Sequence, residues 1–254
     1  MPAAVCGASA CGAAAGRLWQ RQHRCPATAA RGKAGDQVDP LVERLASVQV
    51  SSLCDANKGL PVVDPAIHAM LPGSRLVGPA FTVVAHDDHL PVLVALRTAA
   101  PGSVLVVATD GHRRAVSGEL FATEALRRGL AGIVVDGYCR DVAGLRGVGL
   151  PVYARGSTPM AGSTRDGGTL GGPVKFGGVE VSAGDLVIGD DDGLVIAPAD
   201  RLAAAVAAAE QIERAEQALL RGMAAGRSLP EMTNLDEHLA ALAEGRDTAL
   251  RFEV

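Results

Sequence analysis

Five consecutive residues, Val104–Ala108 (VLVVA), are apolar without any alternation. A strand with one wet face alternates, so this one is covered on both sides, as in parallel sheets whose crossover helices pack on the faces. The chain that follows fits such a crossover. Gly118-Glu119 opens the helical run LFATEALRRG, in which Leu120, Ala122, Ala125 and Leu126 make an apolar stripe, and Gly129 supplies a stop. Apolar strands are predicted at 132–136 and 151–154, and strand, helix, strand at this spacing forms a right-handed parallel crossover.

The flanks add other elements. From Asp39, the residues Leu41, Val42, Leu45 and Val48 recur at helical intervals, and Val50–Ala56 reads as a second short amphipathic piece. Residues 75–85 read as a buried strand. The later third changes character: VKFGGVEV is followed by DLVIGDDDGLVIAP, two apolar runs around an Asp-Gly turn, hence an antiparallel hairpin. A long Ala-rich helix begins at Ala199, with a shorter one after Pro230. The prediction is an α/β fold built on a mixed sheet, with parallel crossovers and a C-terminal helical extension. Residues 1–36, Ala/Gly-rich and almost free of acid, read as an unstructured leader, with organelle targeting as the alternative. Residues 37–228 form the main domain and 229–254 a helical tail.

Composition removes several function classes. A chain of 254 residues, 48% hydrophobic, can bury a substantial core. A formal charge of −4 gives no general pull toward nucleic acid or anionic membrane. No stretch approaches the roughly 18 apolar residues of a membrane span. The cysteines Cys6, Cys11, Cys25, Cys54 and Cys139 form no C-x-x-C pair, which argues against a zinc module or disulfide framework and fits a reducing cytoplasm.

Chemistry is expected where the apolar strands end. Glu119 begins the helix after Val104–Ala108, and Arg140-Asp141 follows the strand at 132–136. If those strands are parallel neighbours, both positions lie on the carboxyl edge where ligands bind in open α/β sheets. The helix beginning at Gly118 points the free amides of Leu120 and Phe121 at the same crevice, which suits a carboxylate or phosphate. Carboxylates and water suit a hard cation such as Mg²⁺ or Mn²⁺. Chelated by a 2-oxo acid, it withdraws electrons from the carbonyl while an adjacent Arg stabilises an enolate. On spacing alone the plainer explanation, a helix-starting ion pair and a first-turn acid, stands at least as well.

The string GELFATEALRRGLAGIVVDGYCRD, preceded by RLVGPAFTV and PGSVLVVA and followed by LPVYARG and GDLVIGDDDGLVIAP, resembles the RraA-like family, over about residues 40–225. That family contains 4-hydroxy-4-methyl-2-oxoglutarate/4-carboxy-4-hydroxy-2-oxoadipate aldolases, which carry Asp, twenty residues, then Arg-Asp. Here Glu119 takes the place of the first Asp. The resemblance implies an α/β sandwich like the swivelling phosphohistidine domains, and a Mg²⁺-dependent lyase acting on 2-oxo acids, with pyruvate as product and oxaloacetate decarboxylation as a second activity. Asp141 would ligate the metal, Arg140 contact the pyruvyl carbonyl, and Glu119 orient water on the metal and assist proton transfer. Gly118, Leu120 and Phe121 would form the carboxylate cradle. It also implies a glutamate from the C-terminal helix of a neighbouring subunit, Glu216 or Glu213, and hence a homotrimer or homohexamer with sites between subunits. The competing expectation is a noncatalytic regulator that docks on ribonuclease E.

Other motifs read more plainly. His86-Asp87-Asp88-His89 is expected to be polar loop, and Asp190-Asp191-Asp192-Gly193 hairpin-turn chemistry rather than a calcium loop. Residues 111–114 (GHRR) either line the pocket mouth, where a basic group meets a second substrate carboxylate, or form a solvated loop. A Schiff-base mechanism needs a desolvated lysine, and Lys33, Lys58 and Lys175 offer only Lys175 on a strand, without an acid/base partner. No G-x-G-x-x-G follows an early strand, so nucleotide-cofactor chemistry of the methyltransferase kind is not expected.

Overall fold

The computed structural model describes residues 39–253. The expected leader, with Cys6, Cys11, Cys25 and Lys33, lies outside the described residues. Asp39 caps α1 (Pro40–Ser47) by accepting the Leu41 amide at 2.9 Å, and Pro40 fills a first-turn position where its missing N–H costs nothing. Next come α2 (Val50–Ala56), β1 (His68–Ala69), β2 (Leu76–Val84), α3 (Leu90–Thr98), β3 (Val104–Ala108) and β4 (Ala115–Ser117). Then follow α4 (Glu119–Arg127), β5 (Gly132–Cys139), α5 (Val142–Val148), β6 (Val152–Ser157) and β7 (Thr169–Leu170). The chain continues through β8 (Val174–Phe176), β9 (Val179–Val181), β10 (Leu186–Asp190) and β11 (Gly193–Ala197). It closes with α6 (Ala199–Ala224), a 3-10 turn at Pro230–Met232 and α7 (Leu235–Ala243).

The main sheet has the order β1-β6-β5-β3-β2-β10-β11, with β4 added to β5 and β7 to β2. The central strands β2, β3, β5 and β6 are mutually parallel, and β10 and β11 join antiparallel. The sheet is therefore mixed, as expected. It curls further than a flat sandwich, because strand twist accumulates until β1 meets β11 and Val62 bridges to Val195. The β8–β9 hairpin drops Phe176 into the enclosed space beside Val106, Val134, Tyr153 and Ile196. Tyr153 spans that space, its hydroxyl donating to the Asp190 carbonyl at 3.0 Å.

The even apolarity of β3 now has a cause. Leu105 and Val107 point outward under α3 and α4, among Ile133, Ala122 and Ala125, while Val104 and Val106 point into the curl. All four are fully buried, and each side chain removed from water contributes about 1.5–3 kcal/mol. A third cluster, built from Leu45, Leu53, Leu202 and Val206, seats α1, α2 and α6 on β10 and β11. Among the described residues no helix is long and apolar enough to cross a membrane.

Three features differ from the sequence reading. The helix α3 was not anticipated; its stripe of Val92, Ala95 and Leu96 sits behind a Leu-Pro start that resembles a break. The strand expected at 132–136 runs on to Cys139, with an irregularity between Val135 and Tyr138. The three-residue strand β4 pairs with that extension.

Candidate active site

β3 and β5 are parallel and in register, Val106 opposite Val134, so their ends share one edge. The site itself is assembled one step further out. Ser117 of β4 pairs with Cys139 of β5, and the Arg140 amide donates to the Ser117 carbonyl at 3.1 Å. Gly118 and Arg140, the next residues on either strand, therefore stand side by side. α4 and α5 both start here, with Gly118 and Asp141 as their N-caps.

Asp141 adopts a left-handed backbone, φ 58° and ψ 40°. That turn brings its Oδ2 to 3.2 Å from the Nε of Arg140. Both side chains remain about two-fifths exposed, so the pair contributes little to stability while staying open to a ligand. Gly118 makes the approach possible: a Cβ there would lie 2.7 Å from Asp141 Oδ2 and 3.0 Å from Arg140 Cγ. Glu119 extends from the first turn of α4 across to the first turn of α5 and packs against Gly144. Arg140 and Asp141 are thus in contact, and Glu119 opens the neighbouring helix with its carboxylate resting on Gly144.

The two amides expected to cradle a carboxylate differ. The Phe121 N–H already donates to the Gly118 carbonyl at 3.1 Å, inside the first turn of α4, which leaves Leu120 as the more available donor. Leu120 itself is exposed. Behind this surface, burial pushes the Cys139 thiol up to about 11, which keeps it protonated and unreactive. Ser117 Oγ is buried without a hydrogen-bond partner among the described residues, one residue from Gly118.

The donor set decides which metal these residues fit. Among the described residues no three His, Cys, Asp or Glu side chains converge as a metal cage. A zinc-type site of three or four protein ligands is therefore not formed. The Asp141 carboxylate, partly exposed and packed on the bare Gly118, suits a cation that keeps several waters and takes further oxygens from substrate, as Mg²⁺ does. The residues present fit that group.

Glu216 and Glu213 do not join this cluster within their own chain. Both lie on α6, which packs on α1 and α2 over β10 and β11. Glu216 is exposed, whereas Glu213 accepts the Gln49 amide at 2.5 Å. Lys175 is exposed on β8, so it lacks the desolvation an amine nucleophile requires.

The strands next to the site carry polar structure that sequence reasoning understated. Asp88 is 1% exposed. Its carboxylate accepts from the Leu90 amide at 2.8 Å, Ser163 Oγ at 2.5 Å, the Arg165 amide at 2.6 Å and the Asp166 amide at 2.9 Å. Burial raises its pKa, but these donors outweigh burial and lower it to about 2. The loop after β6 is thereby pinned to the start of α3. The GHRR segment is exposed but anchored, since the Arg114 amide donates to Asp87 Oδ1 at 2.9 Å and His112 lies 3.1 Å from Asp87 and stacks on His86. Asp87, Asp110 and Asp141, following β2, β3 and β5, are the non-glycine residues with positive φ among the described residues. Backbone strain gathers along this one edge.

A hollow of about 270 Å³ elsewhere, bordered by Gln49, Ser74, Arg75 and Asp190 to Asp192, is structural. Asp190 accepts the Val50 amide at 2.8 Å and shapes the hairpin turn by accepting Asp192 N–H, while Asp191 binds the Gly73 amide. The acidic triplet is turn and cap chemistry, as its sequence suggests.

The RraA-like family model, described as Aldolase/RraA, matches residues 50–196. A protein of Halalkalibacterium halodurans, provisionally named a 4-hydroxy-4-methyl-2-oxoglutarate aldolase, is 34% identical over 160 residues, covering 62% of this chain and 76% of its own. Among solved structures, a protein from Pseudomonas syringae pv. tomato superposes with a TM-score of 0.67 at 25% identity, covering 78% of this chain and 98% of its own. Streptomyces coelicolor RraAS2, described as an unusual member of the RNase ES inhibitor RraA family, gives 0.63 at 30% identity, covering 71% and 97%.

Proposed function

The chain belongs to the RraA-like family, and from that premise we propose that it is a divalent-metal-dependent carbon–carbon lyase. Its substrates are 2-oxo acids of the 4-hydroxy-4-methyl-2-oxoglutarate type, cleaved to pyruvate through an enolate, with oxaloacetate decarboxylation as a second reaction. The observation that supports this reading is the Arg140–Asp141 pair packed on the bare Gly118, with Glu119 opening the adjoining helix and laying its carboxylate on Gly144.

Asp141 holds the cation, which when bound supplies Lewis-acid polarisation of the 2-oxo group. The Arg140 guanidinium lies beside the same carboxylate and faces the oxygen on which charge develops as the C3–C4 electron pair moves toward C2. Its N–H groups stabilise an enolate by charge and hydrogen bonding. Glu119 is the group that moves protons: off the C4 hydroxyl as that carbon becomes a carbonyl, and back to C3 of the enolate to complete pyruvate. The Leu120 amide, at the start of α4, receives the substrate carboxylate, with Phe121 contributing if its internal bond opens. Glu216 of α6 reaches the site of a neighbouring subunit in a homotrimer or homohexamer. The protein works in the cytoplasm, without nucleic acid or membrane as a partner.

The test is pyruvate release from oxaloacetate and from 4-hydroxy-4-methyl-2-oxoglutarate, scored above a metal-only blank, with and without chelator. Turnover that disappears with chelator and returns with Mg²⁺ is expected. The likeness to an RNase ES inhibitor favours a second reading, in which the protein binds a ribonuclease of the E type without catalysis. No metal-dependent turnover, together with direct binding to such a ribonuclease, would establish that reading instead.

A further inference from the structure

The interior of α5 contains two glycines, Gly144 and Gly147, in a helix of seven residues. Neither has a positive φ, so conformational freedom does not explain them, and an interior glycine weakens a helix relative to alanine. Gly147 faces open space: a Cβ there would meet nothing within 4 Å. Gly144 is different. A Cβ at that position would lie 2.9 Å from Glu119 Cγ and closer still to Cδ and Oε2. The bare surface of Gly144 is occupied by the carboxylate arm of the residue that opens α4.

We infer that Gly144 is a positioning residue for Glu119, the seat that lets this longer acid fold its carboxylate onto the first turn of α5, three residues from Asp141. The inference rests on the lyase reading for its catalytic meaning, but its geometry does not. An aspartate at 119 is one methylene shorter and does not extend as far over α5. A glutamate must fold its extra length somewhere, and the missing Cβ at 144 provides the space. The end of a glutamate is flexible, so a methyl group at 144 displaces the carboxylate rather than the helix. Gly144→Ala should therefore leave the fold intact and misplace one functional group.

The experiment is a double-mutant cycle of Gly144→Ala with Glu119→Asp, with Gly147→Ala as control. Two readouts are taken: kcat and KM for oxaloacetate with Mg²⁺, and Mn²⁺ affinity of the free protein by electron paramagnetic resonance. Gly144→Ala is expected to lower kcat tenfold or more with KM within about twofold, and to weaken Mn²⁺ several-fold. In the Glu119→Asp background the same change should alter neither quantity by more than about twofold. Gly147→Ala should match the parent in both.

Equal losses from Gly144→Ala in both backgrounds, or no loss in either, overturn the inference. If Gly144→Ala fails to fold, recovery of folding by Glu119→Asp supports the clash, and no recovery overturns it. A parent that turns over no 2-oxo acid while the Mn²⁺ cycle still shows coupling removes the lyase reading and leaves the positioning role standing. A parent that turns over normally with no coupling does the reverse. A parent that neither turns over substrate nor binds Mn²⁺ removes both.

Discussion

The carboxylate of Asp141 lies 3.2 Å from the guanidinium Nε of Arg140, its immediate neighbour in the chain. Successive side chains of a strand leave on opposite faces, so adjacent residues rarely meet this way. The left-handed backbone of Asp141, at the step from β5 into α5, turns the second side chain back toward the first. For a residue other than glycine that conformation costs about 1 kcal/mol.

Replacing Asp141 by Gly separates the cost from its purpose. Relief of the left-handed strain and loss of an exposed ion pair roughly offset one another, so thermal denaturation should shift by no more than about 1 kcal/mol in either direction. Metal-dependent pyruvate release should fall to the blank. Retention of metal-dependent turnover would remove Asp141 from the site.

Gly118→Ala tests the hollow. The added Cβ would sit 2.7 Å from Asp141 Oδ2, so the carboxylate must move. We expect turnover to drop by about tenfold or more, the scale that follows a misplacement near 1 Å. Mg²⁺ titration of the rate should show half-saturation at higher concentration. Parental kinetics would mean that the Gly118 approach is not part of the working geometry.

Arg140→Ala should abolish detectable catalysis, by about 10²–10³ in kcat if its role is to stabilise developing negative charge. Its side chain is two-fifths exposed, so far-UV circular dichroism and the unfolding midpoint should stay close to parental. Unchanged rates would exclude it from the mechanism.

Asp88 predicts the acid limit of the fold. Its folded pKa, about 2, lies below the ordinary carboxylate value of 3.8. Its contribution is therefore fully present above about pH 4 and is lost as pH falls toward 2, an effect of about 2 kcal/mol. Urea unfolding of Asp88→Asn should show a less stable protein at pH 7 and a flatter pH dependence between 4 and 2. Identical slopes for variant and parent would place the acid sensitivity elsewhere.

Much of the scaffold was legible because burial on two faces leaves a plain mark. The unbroken apolarity of Val104–Ala108 announced a covered strand, and two apolar runs about an acidic turn announced the β10–β11 hairpin, although its loop is Asp191-Asp192 and Gly193 already pairs with Asp190. Glu119, Arg140 and Asp141 were readable as residues at strand ends. What brings them together was not: β4 is too short to show a period, and it pairs with a β5 extension that begins beyond the irregularity after Val135. Asp88 looked like solvated loop because Ser163, Arg165 and Asp166, which hold it, come from a distant part of the chain. Gly144 carried no signal in the sequence, since only the fold shows what leans on it.

Every own-chain group of the proposed chemistry falls between Ser117 and Gly144, on a single run of strand, helix, strand and helix start. The part of the proposed apparatus that each subunit supplies to its own site is thus one uninterrupted piece of polypeptide. A chimera that exchanges only that piece with a relative should carry the donor's catalytic character into the recipient's shell, whereas exchanges on either side of it should alter durability, assembly and the contribution of Glu216.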